Sequence, residues 1–247
     1  MQHYDCIFLV ISSSNLAAYA KMKAYTRSYF QLFPNVKLLF IEWLPNDQMM
    51  EKYRVQYEKS QTTMELGDTL YCNGIEKFEL IYEKSKLALQ YIDEHYDYPF
   101  VIRTNLSTFW NIPKALEFLK TIPNHNFACG HRYLSSGFLG GISITMSRDA
   151  SRHIINSVMN HIEYDDVLIT YILEFNNVSV EHTFIYERNC GFCCSSDDTP
   201  EAKFLNDAIY YRIKNDNRER DLDFFSYFYM KHYGLLLPGP FPIEGIV

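Results

Sequence analysis

The length, composition and charge of this chain exclude several classes of protein. Its 247 residues, of which 47% are hydrophobic and 16% aromatic, can bury one large core or at most two small ones. A formal net charge of -7 without a basic arm argues against a nucleic acid partner. Because the sequence shows neither a cleavable leader nor an apolar run of bilayer length, we expect a soluble, cytoplasmic protein without a membrane segment.

The first part of the chain predicts strands alternating with helices. Residues 6–11 are an uninterrupted apolar run that ends at Ser12 and Ser13, which is typical of a central strand followed by a polar turn. Helical spacing of apolar residues predicts a helix over residues 16–33, and residues 36–43 predict the next strand. A strand, a helix and a second strand in this order form a right-handed βαβ unit with parallel strands.

The middle of the chain contains the clearest predicted helix. Residues 45–63 are polar and are interpreted as a helical or loop insertion, and residues 67–71 predict a short strand. Residues 76–95 place apolar side chains on one face and Lys84 elsewhere, which predicts a helix. This helix leads directly into another short, apolar strand over residues 100–102.

A polar cluster follows the strand at residues 100–102. It supplies one fixed charge and several hydrogen-bonding groups, from Arg103, Thr104, Asn105 and Ser107. Ligands of open α/β sheets lie just beyond the carboxyl ends of the strands. The cluster therefore indicates either a site for a polar ligand or a plain strand end whose polar residues cap a turn.

The second half of the chain continues the alternation. Strands or extended segments are predicted over residues 126–130, 142–146, 178–186 and 208–213. Helices are predicted over residues 112–120, 148–160, 167–174 and 221–233, the second of them capped by Ser147. The whole pattern predicts an α/β fold in which helices flank a mostly parallel central sheet.

Two further segments contain residues suited to chemistry. Glycines before the strand at 142–146 allow close backbone approach to a flat ligand, although a tight turn explains them equally well. Asp165 and Asp166 open a predicted helix. They either cap that helix, or one carboxylate orients a group while the other accepts a proton from a hydroxyl.

Histidine, cationic and cysteine residues near the C-terminus leave alternatives open. His182 is a lone histidine, which is more often a hydrogen-bonded core residue than a ligand. Arg212, Lys214 and Arg218 are candidate anion-binding cations or part of a solvated loop. The cysteines at positions 190, 193 and 194 look like half of a zinc site, but no second pair follows, so reduced thiols are expected.

The order of these motifs resembles a known family. A first strand ending in Ser-Ser, Arg27 in a helix, Phe-Val-Ile-Arg-Thr-Asn-Leu-Ser, Ser-Ser-Gly-Phe-Leu-Gly-Gly and Asp-Asp-Val follow one another. This succession resembles the β-1,3-glycosyltransferases of the galactosyltransferase and Fringe type, and even more the short soluble glycosyltransferase-like proteins of large DNA viruses. The resemblance covers roughly residues 5–186.

The resemblance implies a fold, an activity and partners. It implies one GT-A domain over residues 1–247, with a C-terminal basic segment, helix and tail over residues 187–247. It also implies an inverting transfer from a UDP- or GDP-sugar, UDP first, to a hydroxyl of a glycan or glycoprotein acceptor. The alternative is a catalytically inactive GT-A-like module that binds a glycan or another partner.

The resemblance also implies a donor site whose metal ligands have changed. The family motif Lys-Thr-Asp-Asp-Asp, whose carboxylates hold Mn²⁺ on the diphosphate, falls on residues 103–107, so Asn105 and Ser107 replace carboxylates. We therefore expect either no cofactor or Mn²⁺ held by other groups. The donor-binding residues implied are Ser12, Ser13, Arg27, Arg103, Thr104, Asn105, Ser107, Arg212, Lys214 and Arg218, with the cations offsetting the diphosphate charge.

The remaining implied roles concern the acceptor side. The family motif Glu-Asp-Val falls on residues 165–167, which makes Asp166 the expected general base and Asp165 the fallback. His182 matches a metal-ligating histidine. The residues implied to line the donor sugar and the acceptor are Ser136, Gly137, Gly140 and Gly141.

Overall fold

The structure, a computed structural model, divides into two compact units. It describes residues 1–13, 16–44, 63–74, 76–132, 137–158, 164–184 and 189–234. Unit 1 consists of Met1–Ser13, Asn35–Asn105 and Phe118–Phe184, and unit 2 of Ser14–Pro34, Leu106–Glu117 and Ile185–Val247. Apart from Thr63, the predicted insertion at residues 45–63 lies outside the described residues. The single domain over residues 1–247 stays a prediction.

The strands and helices have the following bounds. The strands are β1 (Gln2–His3), β2 (Cys6–Ile11), β3 (Val36–Trp43), β4 (Thr63–Leu66), β5 (Thr69–Cys72), β6 (Tyr96–Asp97), β7 (Phe100–Asn105), β8 (Thr108–Trp110), β9 (Phe127–Arg132), β10 (Leu139–Ser147), β11 (Ser179–Phe184), β12 (Cys190–Cys193) and β13 (Tyr210–Ile213). The helices are α1 (Ala17–Phe30), α2 (Ile81–His95), α3 (Ile112–Leu119), α4 (Arg148–Asn156), α5 (Asp165–Phe175), α6 (Pro200–Lys203) and α7 (Arg218–Tyr233). Across the described ranges, no helix combines the length and apolarity that a bilayer crossing needs.

The main sheet belongs to unit 1. Its strand order is β11-β9-β10-β7-β2-β3-β5-β4. Strand β2 pairs in parallel with both β3 and β7, and β10 runs antiparallel to β7 and β9. Ile11 lies opposite both Ile41 and Asn105, so the carboxyl ends of β2, β3 and β7 meet at one edge. The predicted α/β class with a mostly parallel central sheet is confirmed.

Helices cover one face of this sheet. Alternation along the strands puts Ile7, Leu9, Leu39 and Ile41 on that face, where all four are fully buried. They belong to one apolar cluster with residues of α2, α4 and α5, among them Leu89, Ile92, Ile154, Ile169 and Leu173. Each such side chain stabilises the fold by about 1.5–3 kcal/mol relative to leaving it exposed. The predicted flanking helices are therefore explained by a continuous core.

Strand β7 is longer than predicted. It continues through Asn105 instead of ending at Ile102, and both Arg103 and Thr104 are buried inside it. The Thr104 hydroxyl donates a hydrogen bond to the Ile142 carbonyl at 2.5 Å. Polar side chains that find partners on the neighbouring strand do not end a strand, which is why composition alone misplaced this boundary.

Two further predictions about single side chains are wrong. Lys84 was placed away from the apolar face of its helix, yet it is fully buried. Ser147 precedes α4 but makes no side-chain cap. Its hydroxyl instead donates to the Phe127 carbonyl and accepts from the Phe127 amide, because β9 lies beside the end of β10. The helix that Ser147 was expected to cap also ends earlier than predicted, at Asn156.

Unit 2 contains a small sheet and an aromatic core. Its strand order is β12-β13-β8, and strand β12 contains Cys190 and Cys193, both of which are buried. All the cysteines are free thiols. The Tyr211 ring stacks on Phe228 with centroids 3.9 Å apart, and Tyr29 stacks on Tyr233 at 5.4 Å. Aromatic packing thus replaces the aliphatic core that unit 1 uses.

A histidine in this aromatic core makes the stability of the protein depend on pH. The Asn111 side-chain amide donates to His232 Nδ1 at 3.0 Å, and His232 Nε2 lies 3.1 Å from the Tyr211 hydroxyl. Burial lowers the pKa of His232 from 6.5 to about 4. The unfolded chain therefore binds this proton more tightly than the folded one, so His232 stabilises the fold fully above about pH 6.5 and the contribution fades as the pH falls toward 4.

We expect that His232→Gln flattens this pH dependence. In the wild type, His232 should raise the free energy of unfolding by at most about 3 kcal/mol between pH 4 and pH 6.5. This value follows from about 1.4 kcal/mol for each unit of pKa difference between the folded and the unfolded state. Urea unfolding at several pH values measures it, with His95→Gln at an exposed histidine as the control. An unchanged slope in His232→Gln contradicts the assignment.

Candidate functional site

The site is built around an arginine that lies within a strand. Arg103 lies opposite Leu9 in the β2–β7 pair and shares the helix-covered face with Val101. Its side chain is only 4% exposed. A guanidinium that is taken out of water needs a charged or polar partner, since an unpaired buried charge is very costly. The sequence position of Arg103 therefore requires an acceptor on the helices that cover this face.

The acceptor is Asp165, in the first turn of α5. Arg103 Nη2 donates to Asp165 Oδ2 in an ion pair whose carboxylate side chain is 10% exposed. Burial raises the pKa of Asp165, and the positive charge of Arg103 opposes that rise. Asp165 is thus committed to Arg103, which makes it a poor candidate for proton transfer to a ligand.

The backbone of Gly141 makes hydrogen bonds with side chains of β7 and with a side chain at the start of α5. Its carbonyl accepts hydrogen bonds from Arg103 Nη1 and, at 3.2 Å, from Asn105 Nδ2. Its amide donates to Asp166 Oδ2 at 3.0 Å. A Cβ at this position would overlap Arg103 Nη1 and lie 3.4 Å from Asp166 Oδ2, so the close approach requires glycine.

Asp166 lies in a different environment from its neighbour. Its carboxylate accepts from two backbone amides, those of Gly141 and Val167, each at 3.0 Å. The residue is partly exposed, and the start of a helix favours its negative charge. The two adjacent carboxylates therefore have different roles. Asp165 pairs with Arg103, whereas Asp166 is positioned by backbone amides and keeps lone pairs for a ligand hydroxyl.

A second polar cluster lies at the carboxyl ends of β2 and β3. The Ser12 hydroxyl donates to Glu42 Oε1 at 2.8 Å, and Lys84 Nζ donates to the Ser12 carbonyl and to Glu76, both at 3.2 Å. Burial lowers the pKa of Lys84, and the charge of Glu76 opposes this. Sequence reasoning missed Lys84 and Glu42. The small residues Ser85 and Ala88 beside Lys84 are the only signal that this part of the helix packs closely.

The three predicted anion-binding cations, Arg212, Lys214 and Arg218, have different surroundings. In unit 2, Arg212 Nη1 donates to the Ser107 hydroxyl at 2.6 Å, and Lys214 is exposed. Arg218 is the first residue of α7 and pairs with the buried Asp221 at 2.6 Å. The charge of Arg218 is therefore largely offset by Asp221. The predicted diphosphate contacts of these residues stay predictions.

The other predicted site residues are scattered. Ser13 follows β2 and is partly exposed, Arg27 lies in the last turn of α1, and His182 is exposed on β11. Gly140 is buried in β10, and Gly137 has a φ of 76°. Ser136 lies outside the described residues. Their roles in binding stay predictions.

The described residues do not fit a divalent metal ion. Within the ranges given above, no group of three or more His, Cys, Asp or Glu side chains is placed to hold one. At the position of the expected metal ligands, the neutral Asn105 side chain donates to the Gly141 carbonyl, and the nearby Asp165 is engaged by Arg103. Hard cations prefer carboxylate oxygens, and neither the Asn105 amide nor the paired Asp165 offers a free one.

Comparison with known proteins gives a similarity of fold only. No family model matches the sequence, and no curated protein matches it either. Solved structures do resemble the chain, among them a glycosyltransferase described as involved in the glycosylation of the major capsid of PBCV-1. That protein is 14% identical, and the match covers 89% of this chain and 98% of that chain with a TM-score of 0.49.

Proposed function

We propose that this chain is an inverting glycosyltransferase of the GT-A fold. It would transfer a sugar from a nucleoside-diphosphate sugar, UDP-linked first and GDP-linked second, to a hydroxyl of a glycan or glycoprotein. The observation that carries the proposal is the assembly of Arg103, Asn105, Asp165 and Asp166 around Gly141. These residues come from distant parts of the sequence and meet at one edge of the sheet.

The position of this assembly supports a ligand site. From β2 the chain continues to β3 on one side and later to β7 on the other side, so the strand order reverses at β2. Open α/β sheets bind ligands outside the carboxyl ends of the strands at such a reversal. Asn105 ends β7 at this edge, directly opposite the last residue of β2.

Asp166 is the proposed general base. Its carboxylate takes the proton of the acceptor hydroxyl while that oxygen attacks the anomeric carbon of the donor. The bond from the anomeric carbon to the diphosphate oxygen breaks, and its electron pair leaves with the diphosphate on the opposite face of the sugar. Arg103 is a positioning residue, because it holds Asp165 and Gly141 and thereby sets where Asp166 lies.

One observation favours the alternative of an inactive binding module. The positive charge of Arg103, which the resemblance assigns to the donor diphosphate, is already paired with Asp165. A diphosphate leaving group needs its developing charge stabilised, and this ion pair leaves less of that charge for it. Binding without transfer is therefore the second candidate.

Turnover with and without a chelator tests the proposal. We expect nucleotide release from at least one sugar of a UDP- and GDP-sugar panel, and we expect EDTA to leave the rate within about twofold because Asn105 and Ser107 replace metal-binding carboxylates. Liquid chromatography of released UDP and GDP measures it. Loss of activity with EDTA and recovery with Mn²⁺ would show that transfer depends on the metal.

Thermal shift separates the two candidates. A donor that binds only the folded state raises the melting temperature, and the rise grows with the logarithm of the donor concentration once this exceeds Kd. The enzyme predicts such a shift with UDP, GDP or one of their sugars. Absence of any shift together with absence of turnover contradicts the enzyme and leaves the binding module.

A further inference from the structure

An exposed pair of aromatic side chains lies beside the proposed base. Phe78, just before α2, is 57% exposed, and Tyr164, just before α5, is 51% exposed. Their ring centroids are 5.8 Å apart with an interplanar angle of 78°, so the rings meet edge to face. Two large rings in contact with each other and still half open to water form an apolar surface with room for a flat partner.

The backbone fixes Tyr164, one member of this pair, next to Asp166, and the ring contact places Phe78 against Tyr164. Tyr164 precedes α5 in an extended conformation, with a φ of −120° and a ψ of 123°. Its carbonyl accepts from the Leu168 amide at 3.2 Å, which ties it to the first turn of the helix. Asp165 and Asp166 follow immediately in the chain. The Tyr164 ring and the carboxylate are therefore carried by the same helix start.

We propose that Phe78 and Tyr164 are the platform on which the acceptor sugar stacks. This inference rests on the proposed function and names the acceptor class as a pyranose that presents an apolar C–H face. A pyranose presents axial C–H groups on at least one face and hydroxyls around its rim, so an aromatic ring can cover a C–H face while a carboxylate reaches the rim. The base must lie within about 2.6–3.2 Å of the hydroxyl that it deprotonates, so the ring beside Asp166 is that of the acceptor and not that of the donor.

The same helix carries a matched control. Tyr171 and Phe175 are also exposed, at 49% and 64%, with ring centroids 6.2 Å apart. They lie five and nine residues after Asp166, or about 7.5 and 13.5 Å along the helix axis. If removing any exposed aromatic surface affects the protein, alanine variants of both pairs should show the effect. If the effect is on acceptor binding, only the alanine variant of Phe78 and Tyr164 should show it.

Saturation-transfer NMR tests the platform without requiring turnover. The probes are the methyl pyranosides of glucose, galactose, mannose, N-acetylglucosamine, fucose, rhamnose and xylose. We expect at least one of them to receive saturation on its C–H protons from aromatic protons of the wild type. The Phe78→Ala/Tyr164→Ala variant should weaken its binding about tenfold or more, whereas Tyr164→Phe, which keeps the ring, should bind like the wild type. The Tyr171→Ala/Phe175→Ala variant should bind like the wild type.

The outcomes separate this inference from the proposed function. Nucleotide release by the wild type, with water as acceptor, tests the enzyme alone. If release occurs but no pyranoside binds, or binding survives in Phe78→Ala/Tyr164→Ala, the platform is wrong and the enzyme stands. If release is absent but the pyranoside signal depends on this pair, the platform stands and the enzyme fails. A wild-type dimer that Phe78→Ala/Tyr164→Ala converts to a monomer would overturn the platform in favour of a contact between two copies.

Discussion

Asp166→Asn is expected to lower nucleotide release and sugar transfer by a factor of about 100 to 10,000, the range that a positioned general base contributes. The amide of asparagine cannot accept the proton of the acceptor hydroxyl, while its shape preserves the packing around the start of α5. Steady-state release of UDP or GDP, measured for the donor that the wild type uses, checks this. Activity near that of the wild type would remove Asp166 as the base.

Stability has to be separated from chemistry in this variant. Asp166 accepts from the amides of Gly141 and Val167 through two different oxygens, and asparagine keeps only one of them. The unsatisfied amide should cost about 1–3 kcal/mol. Asp149 is the matched control, because it also lies in the first turn of a helix and accepts from the Asn126 amide at 2.8 Å. We expect Asp149→Asn to lose some stability and to keep full activity.

Arg103→Met is expected to destabilise the fold by about 3–5 kcal/mol, the usual cost of removing one partner of a buried ion pair. The methionine fills part of the space, but it leaves Asp165 buried and unpaired and the Gly141 carbonyl without its guanidinium donor. Urea unfolding measures the loss. Adding Asp165→Leu should recover much of it, since an apolar pair of similar volume does not carry the desolvation cost.

A more exposed ion pair provides the comparison for Arg103→Met. Arg148 pairs with Asp93 at 2.7 Å, and the two side chains are 19% and 21% exposed. We expect Arg148→Met to cost less than Arg103→Met, because partly solvated partners are screened by water. A smaller loss in Arg103→Met than in Arg148→Met would contradict the interpretation of the Arg103–Asp165 pair as the buried, structurally required one.

The loss in Arg103→Met should also depend on pH. Burial already raises the pKa of Asp165, and without the guanidinium that opposes the rise the folded-state pKa moves further up. A folded state that holds the proton more tightly than the unfolded chain loses stability as the pH rises. The deficit should therefore be smallest below the unfolded value of about 4, should grow as the pH rises above that value, and should level off above the folded-state pKa of Asp165.

Local patterns in the sequence are sufficient for the main elements and for part of the site. The strand at residues 36–43 and the helix at residues 81–95 follow from apolar runs and helical spacing. Asp165 and Asp166 were expected at the start of a helix, where they lie. These features depend on residues within a few positions of one another, so one sequence contains the information needed to predict them.

Partnerships between distant residues could not be predicted in this way. Strands β8 and β12 were missed because each is only three or four residues long and gains its hydrogen bonds from β13. The burial of Lys84 was not predicted because its partners, the Ser12 carbonyl and Glu76, lie outside its own helix turn. Short strands and buried charges are defined by what they contact, and those contacts are not periodic along the chain.

By itself, the sequence determined the alternation of strands and helices, the carboxylate pair at a helix start and the absence of carboxylates from residues 103–107. Only the tertiary structure decided that Arg103 forms an ion pair with Asp165 and that Arg218 forms one with Asp221. It also decided that the Gly141 amide donates to Asp166. The physical reason is that side-chain charge is a property of a residue, whereas the availability of that charge to a ligand depends on which opposite charge the fold brings within reach.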